Sequence, residues 1–142
     1  MSRLQPFETS GDAESIGLLA SGGSRAEVLA NAAAGLYSLL CDADQIMPER
    51  TFDLDRESSN PDDLLVDWLN DLLWAYENEG VLSSGFSFVE LSTTSYSAVL
   101  HGELVDAHRH NPTGTALAAT YPGTPWTQSE KGWEAQVILC PV

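Results

Sequence analysis

Between residues 60 and 80, apolar positions recur at steps of three and four: Leu65, Trp68, Leu69, Leu72 and Tyr76, with Leu64 and Leu73 widening the stripe. That spacing predicts an amphipathic helix buried along one side. Its ends are chemically marked. Asn60 can cap with its side-chain oxygen, Pro61 occupies the first helical position where a missing N–H costs nothing, and Asp62 and Asp63 face the positive end of the dipole. Gly80 supplies a left-handed exit. A second helical pattern starts at Ser24, which stands at capping-box spacing from Glu27, and places Val28, Leu29, Ala32, Leu36 and Leu39 or Leu40 on one face. The alanines at 30, 32, 33 and 34 allow close packing against a sheet.

Elsewhere the period falls to two or the apolar runs shorten. Residues 16–20 end in Ser21-Gly22-Gly23 and predict a strand and turn, and residues 50–56 alternate around Phe52 and Leu54. Phe86 and Phe88 alternate with Ser87 and Val89, residues 92–95 form a turn, and residues 96–103 run back as an antiparallel hairpin. Residues 115–121 and 133–139 predict two more strands, separated by a loop over residues 122–132. Together these elements predict one α+β domain over residues 1–142. Two main helices pack on a mixed, largely antiparallel sheet.

Composition narrows the function. The 142 residues carry six basic against 21 acidic side chains, a net charge of −15. Such a chain repels phosphate backbones and anionic lipid, so neither direct nucleic-acid binding nor a membrane partner is expected. A basic protein or a cation is favoured instead, although acidity also serves solubility alone. No basic-then-apolar leader and no membrane-length apolar run is present, and Cys41 and Cys140 lie far apart without metal-ligand spacing. A cytoplasmic protein with two reduced thiols is the expectation.

The order of several motifs resembles the archease family. Leu64 to Leu73 resembles that family's Leu-Leu-Val-Asp-Trp-Leu-Asn-Glu-Leu-Leu helix, with Asp71 in place of Glu. Gly17-Leu18-Leu19-Ala20-Ser21-Gly22 is similar to its Gly-Ile-x-Ala-x-Gly strand, and Ala30-Asn31-Ala32-Ala33 lies in a segment similar to Ala-x-x-Asn-Ala-Ala. Gly102-Glu103-Leu104-Val105-Asp106 followed by Arg109-His110, and then Ala118-Ala119-Thr120-Tyr121, resemble two further blocks. The resemblance spans nearly the whole chain. It implies a protein cofactor, not an enzyme, that partners the GTP-dependent tRNA-splicing RNA ligase or another basic RNA-processing protein. In that role it promotes guanylylation of the ligase's active-site histidine and permits multiple turnover.

The resemblance also implies a small acidic site for a divalent cation, calcium or magnesium. In the family it is built from the Asp of a His-Thr-Ala-Asp motif and a carboxyl-terminal Asp. Here the chain departs from the pattern. Counted back from Gly17, the motif's Asp falls on Ser15 and its His on Asp12; counted forward from Phe7-Glu8, Asp12 keeps the carboxylate. Asp12 is therefore the candidate metal ligand. The carboxyl-terminal Asp position is Cys140, and the family's Lys and His around the Ala-Thr-Tyr block correspond to Leu117 and Pro122. One carboxylate and one soft thiol suit neither calcium nor magnesium, so loss of the site is the expectation.

Other polar residues carry competing readings. Asp106, His108, Arg109 and His110 are dense enough for a metal site if His108 and His110 share a strand face, and equally form a solvated strand end or loop before Pro112 and Gly114. His101, in an apolar strand, reads as a satisfied side chain. Asp12 and Glu14 have no nucleophile or base beside them, so no catalytic residues are assigned. Trp126 and Trp133 flank a polar loop and suit either a partner surface or the core. Two alternatives to the ligase cofactor follow: a metal-dependent small-molecule binder or hydrolase using Asp12, Glu14 and one or both of His108 and His110, and an adaptor that keeps the fold without activation.

Overall fold

The computed structural model describes residues 6–12, 14–121, 123 and 125–142. Along the chain run β1 (Phe7–Asp12), β2 (Ser15–Gly22), α1 (Arg25–Leu40), β3 (Arg50–Glu57), α2 (Pro61–Glu79), β4 (Val81–Leu91) and β5 (Ser95–Leu104). The one-turn α3 (Ala107–His110), β6 (Leu117–Thr120), β7 (Trp126–Ser129) and β8 (Gly132–Pro141) complete it. The α+β class with two main helices is as the sequence predicts.

Both helix boundaries follow from their caps. Ser24 Oγ accepts the Glu27 N–H at 3.2 Å, and Asn60 Oδ1 accepts the Asp63 N–H at 2.9 Å. Gly80 adopts φ 72°, and its N–H closes on the Tyr76 carbonyl at 3.0 Å. The apolar stripe of α2 is buried as predicted from Leu64 to Leu73, with Tyr76 half-buried at its end.

Among the described residues the strands form two sheets, and every pairing is antiparallel. One runs β1-β2-β8-β6 with β7 also on β8; the other runs β3-β5-β4. Both main helices, α1 and α2, touch both sheets, so a single apolar core is shared by the helices and the two sheets. Two strands are additions to the sequence prediction. β7 lies within residues 122–132, predicted as loop, where it makes a hairpin with β8. β1 reads Phe-Glu-Thr-Ser-Gly-Asp and buries only part of Phe7, because it is an edge strand with one side of its sheet wet.

Trp68 is the centre of the core. Its ring meets Phe86, Phe88 and Tyr96 at centroid distances of 5.8, 5.1 and 5.0 Å, and its Nε1–H donates to the Leu29 carbonyl of α1 at 2.8 Å. One residue thus joins the two helices to the three-stranded sheet.

Beside it, β4 carries two register shifts, one between Ser83 and Gly85 where it crosses Gly102 of β5. A Cβ at Gly102 would stand 1.8 Å from the Leu82 carbonyl oxygen. Gly102→Ala is therefore expected to destabilise the protein by about 2–3 kcal/mol, read as a lower urea midpoint with unchanged slope.

Candidate functional site

The densest polar cluster in the chain is built at the end of β5. Asp106 caps α3, its carboxylate accepting the N–H groups of His108 and Arg109 at 3.0 and 3.3 Å, and these bonds hold its pKa below the ordinary carboxylate value. That single turn sends Arg109 and His110 back toward Glu103 on the strand. Glu103 accepts a bidentate pair from Arg109, the Met47 N–H at 2.6 Å and the His110 Nε2–H at 3.0 Å. His110 Nδ1 accepts the Asp106 N–H at 2.8 Å, which fixes the neutral tautomer with its proton on Nε2. Arg109 also donates to the Gln45 carbonyl at 2.8 Å, and the His110 carbonyl accepts the Asp42 N–H at 2.7 Å.

Glu103 is buried and His110 is fully so. The Arg109 guanidinium, with help from Met47 N–H and His110, holds the Glu103 carboxyl down to about 2 against the opposing effect of burial. Oε2 takes three of these bonds and Oε1 the fourth, so Glu103 is no free base. The cluster is a brace that ties β5 and α3 to residues 42–47. The strand reading of His108 and His110 is corrected: they sit on one helical turn, His108 exposed and His110 enclosed, so they cannot jointly face a metal.

The predicted metal position lies at the far end of the five-stranded sheet. Asp12 and Ser15 pair across the β1–β2 hairpin, Ile16 pairs with Leu139, and Ala118 pairs with Cys140. Continuing the β2–β8 register by one step sets Ser15 beside Cys140. Asp12, Ser15, Cys140 and Ala118 therefore form one row on the face opposite the buried Leu18, Val137 and Leu139. The structure brings together both sequence alignments of the family motif. The donors are nonetheless a carboxylate, a hydroxyl and a thiol, and Asp12 Oδ1 already accepts the N–H groups of Glu14 and Ser15 at 3.0 and 3.3 Å. Such a set does not fit calcium or magnesium, which take several hard oxygen ligands. Among the described residues no group of three His, Cys, Asp or Glu side chains converges as metal ligands. Pro122, aligned with the family's His, lies outside the described residues.

The remaining motif residues bond to one another. Asn70 of the helix signature grips the edge strand β6, accepting the Ala119 N–H at 2.8 Å and donating to its carbonyl at 3.2 Å. Tyr121 donates to Asp63 at 2.9 Å, and Asn31 donates to the Ser21 carbonyl at 2.7 Å, pinning α1 to β2. Asp71 accepts from Arg56 and from the buried Tyr96 hydroxyl, whose pKa is raised by burial and then by that bond. His101 is satisfied by Ser87 at 2.9 Å, as expected. Trp126 and Trp133 meet edge to face at 6.0 Å, with Arg25 over the Trp126 ring at 5.3 Å and the Trp126 N–H donating to the Pro61 carbonyl. Both tryptophans pack at the core margin. Cys41 and Cys140 are free thiols, and burial, then Asp42, pushes Cys41 up to about 11.

Fold and site together define an antiparallel two-sheet α+β protein whose sequence motifs interlock as a structural frame. The model of the archease protein family (MTH1598/TM1083) matches residues 7–139, and the chain belongs to that family. Protein archease of Methanosarcina barkeri is 30% identical over 125 residues, covering 84% of this chain and 85% of that protein. Protein archease of Methanopyrus kandleri is 28% identical over 116 residues, 80% and 83% of the two chains. The solution structure of Methanobacterium thermoautotrophicum protein 1598 shares the fold. It has a TM-score of 0.74 at 22% identity, over 95% of this chain and 98% of that one.

Proposed function

We propose that this protein is a non-catalytic archease-type cofactor that activates a GTP-dependent tRNA-splicing RNA ligase, or a related basic RNA-processing enzyme, by protein contact in the cytoplasm. The observation that carries the reading is family membership over residues 7–139. The net charge of −15 favours a basic protein partner over direct nucleic-acid contact. No step is assigned to a divalent cation, because the donors beside Asp12 and Cys140 are the wrong kind.

The experiment is guanylylation of a cognate ligase with and without this protein at equimolar ratio. Stimulation of ligase–guanylate formation is the expected result. No stimulation, together with no co-purification of an RNA-processing enzyme, would sink the reading. The adaptor alternative is favoured by one observation, the thiol at the family's carboxyl-terminal Asp position. It predicts co-purification without stimulation, so the same pair of measurements separates the two.

A further inference from the structure

Tyr37 is fully enclosed in α1, and its hydroxyl is the one buried side-chain polar atom among the described residues with no hydrogen-bond partner. A buried unpaired hydroxyl is costly and calls for an explanation. Tyr37 forms part of the wall of an open cavity of about 400 Å³. Phe7, Ile46 and Phe86 give that cavity its apolar surface, and Phe86 stacks on Tyr37 at 6.2 Å. The rim has the opposite character. Asp44 lines the cavity, and Asp42 lines an adjoining depression that shares Ser38, Ala43 and Asp44 with it. Both carboxylates are exposed and accept no hydrogen bond or ion pair from the described residues, unlike Asp63, Asp67 and Asp71 on α2.

An aromatic floor below an unpaired acidic rim fits one chemistry, an apolar side chain flanked by positive charges. We propose that this cavity is the docking pocket for a basic protein segment, which inserts an aromatic or large aliphatic anchor while its Lys or Arg neighbours meet Asp42 and Asp44. The charge balance of the whole chain supports a protein segment as the occupant, since a net charge of −15 favours basic partners. The anchor supplies the central buried contact and the rim supplies selection by charge. The inference rests on the proposed function for the identity of the partner, and assigns the surface through which that contact is made.

The test titrates the full chain with acetyl-Arg-Phe-Arg-amide and follows backbone amide shifts by NMR. Acetyl-Glu-Phe-Glu-amide, acetyl-Arg-Ala-Arg-amide and phenethylamine serve as comparisons. The expected result is saturable, salt-sensitive shifts confined to residues around Ser38, Ala43, Asp44 and Ser84 with the first peptide. Binding should weaken at least fivefold with each comparison probe. Asp44→Lys, a change at an exposed side chain, should abolish the shifts while leaving the rest of the spectrum intact. Tyr37→Phe should raise the melting temperature by roughly 3 °C, by removing the unpaired hydroxyl, and leave peptide binding unchanged because the ring is kept.

Absence of shifts at these residues overturns the proposal. Equal binding of the acidic peptide removes the charge argument, and equal binding of phenethylamine assigns the cavity to a small amine; either result overturns it. Cavity shifts that grow with protein concentration alone would assign a second copy of this chain and equally overturn it. Wild-type and Asp44→Lys proteins are then compared in the ligase guanylylation assay, where loss of stimulation by the variant is expected. If the variant stimulates fully, the pocket is not the contact surface. If even the wild type fails to stimulate, the proposed function falls while the peptide titration still decides the cavity.

Discussion

Trp68→Ala is expected to lower the stability of this protein by about 4 kcal/mol, with the melting temperature falling by roughly 10–15 °C. The indole is wholly enclosed, meets three other rings and donates from Nε1 to the Leu29 carbonyl of α1. Truncation removes the largest apolar side chain of the core and leaves a cavity bounded by α1, α2, β4 and β5. Those elements are fixed by caps and ladder hydrogen bonds, so they cannot collapse into the space. Trp68→Phe separates the contributions. It keeps most ring contacts and loses the hydrogen bond, and should cost about 1–2 kcal/mol. Chemical denaturation of both variants checks the ordering, and equal losses would contradict it.

Glu103→Ala is the second large effect, at about 3–4 kcal/mol, because it leaves the Nε2–H of the enclosed His110 and the N–H of Met47 without an acceptor. Its pH dependence is distinctive. The Glu103 carboxyl is held down to about 2 in the folded protein from an ordinary 4.5. Protons therefore bind the unfolded chain more readily. The contribution is complete above about pH 4.5 and is lost as pH falls toward 2. The stability difference between wild type and Glu103→Gln should be largest near neutrality and narrow across that acid window. Comparing the two proteins cancels the relief of self-repulsion that acid brings to the rest of this acidic chain. A difference that stays constant from pH 6 to 2 would show that the carboxylate carries no such linkage.

Much of this frame was legible in sequence because its signals are local. Ser24, Asn60, Pro61 and Gly80 mark helix ends by chemistry that acts within one turn. The apolar stripe of α2 is likewise a property of its own residues. β1 escaped notice because an edge strand with five polar or glycine residues of six has no alternation to read. β7 escaped because Pro125 and Gly123 mark a turn whose far side is nevertheless paired. The split into two sheets depends on which distant strands hydrogen-bond, and no local period encodes that.

The candidate site shows the same division. Asp106, Arg109 and His110 were visible as a cluster, but their hub Glu103, three residues before Asp106 in the same motif, read as the last residue of a strand. The Gly-Glu-x-x-Asp spacing was the available signal, since a capped turn after a strand end returns the chain onto that end. The adjacency of Ser15, Asp12 and Cys140 needed strand register, which sequence could not supply. Tyr37 gave no sign at all, because its unpaired hydroxyl is defined only by what surrounds it.

The central proposal is that this chain keeps the archease frame and acts by contact with a protein partner, without the acidic cation site that the resemblance implies. The most direct measurement is the number of ligation turnovers per ligase molecule with wild-type protein and with Asp12→Ala at matched concentrations. Equal stimulation of turnover by the two is expected, with unchanged melting behaviour apart from a small loss at the β1–β2 hairpin. Stimulation by the wild type that disappears in the folded Asp12→Ala protein would contradict it.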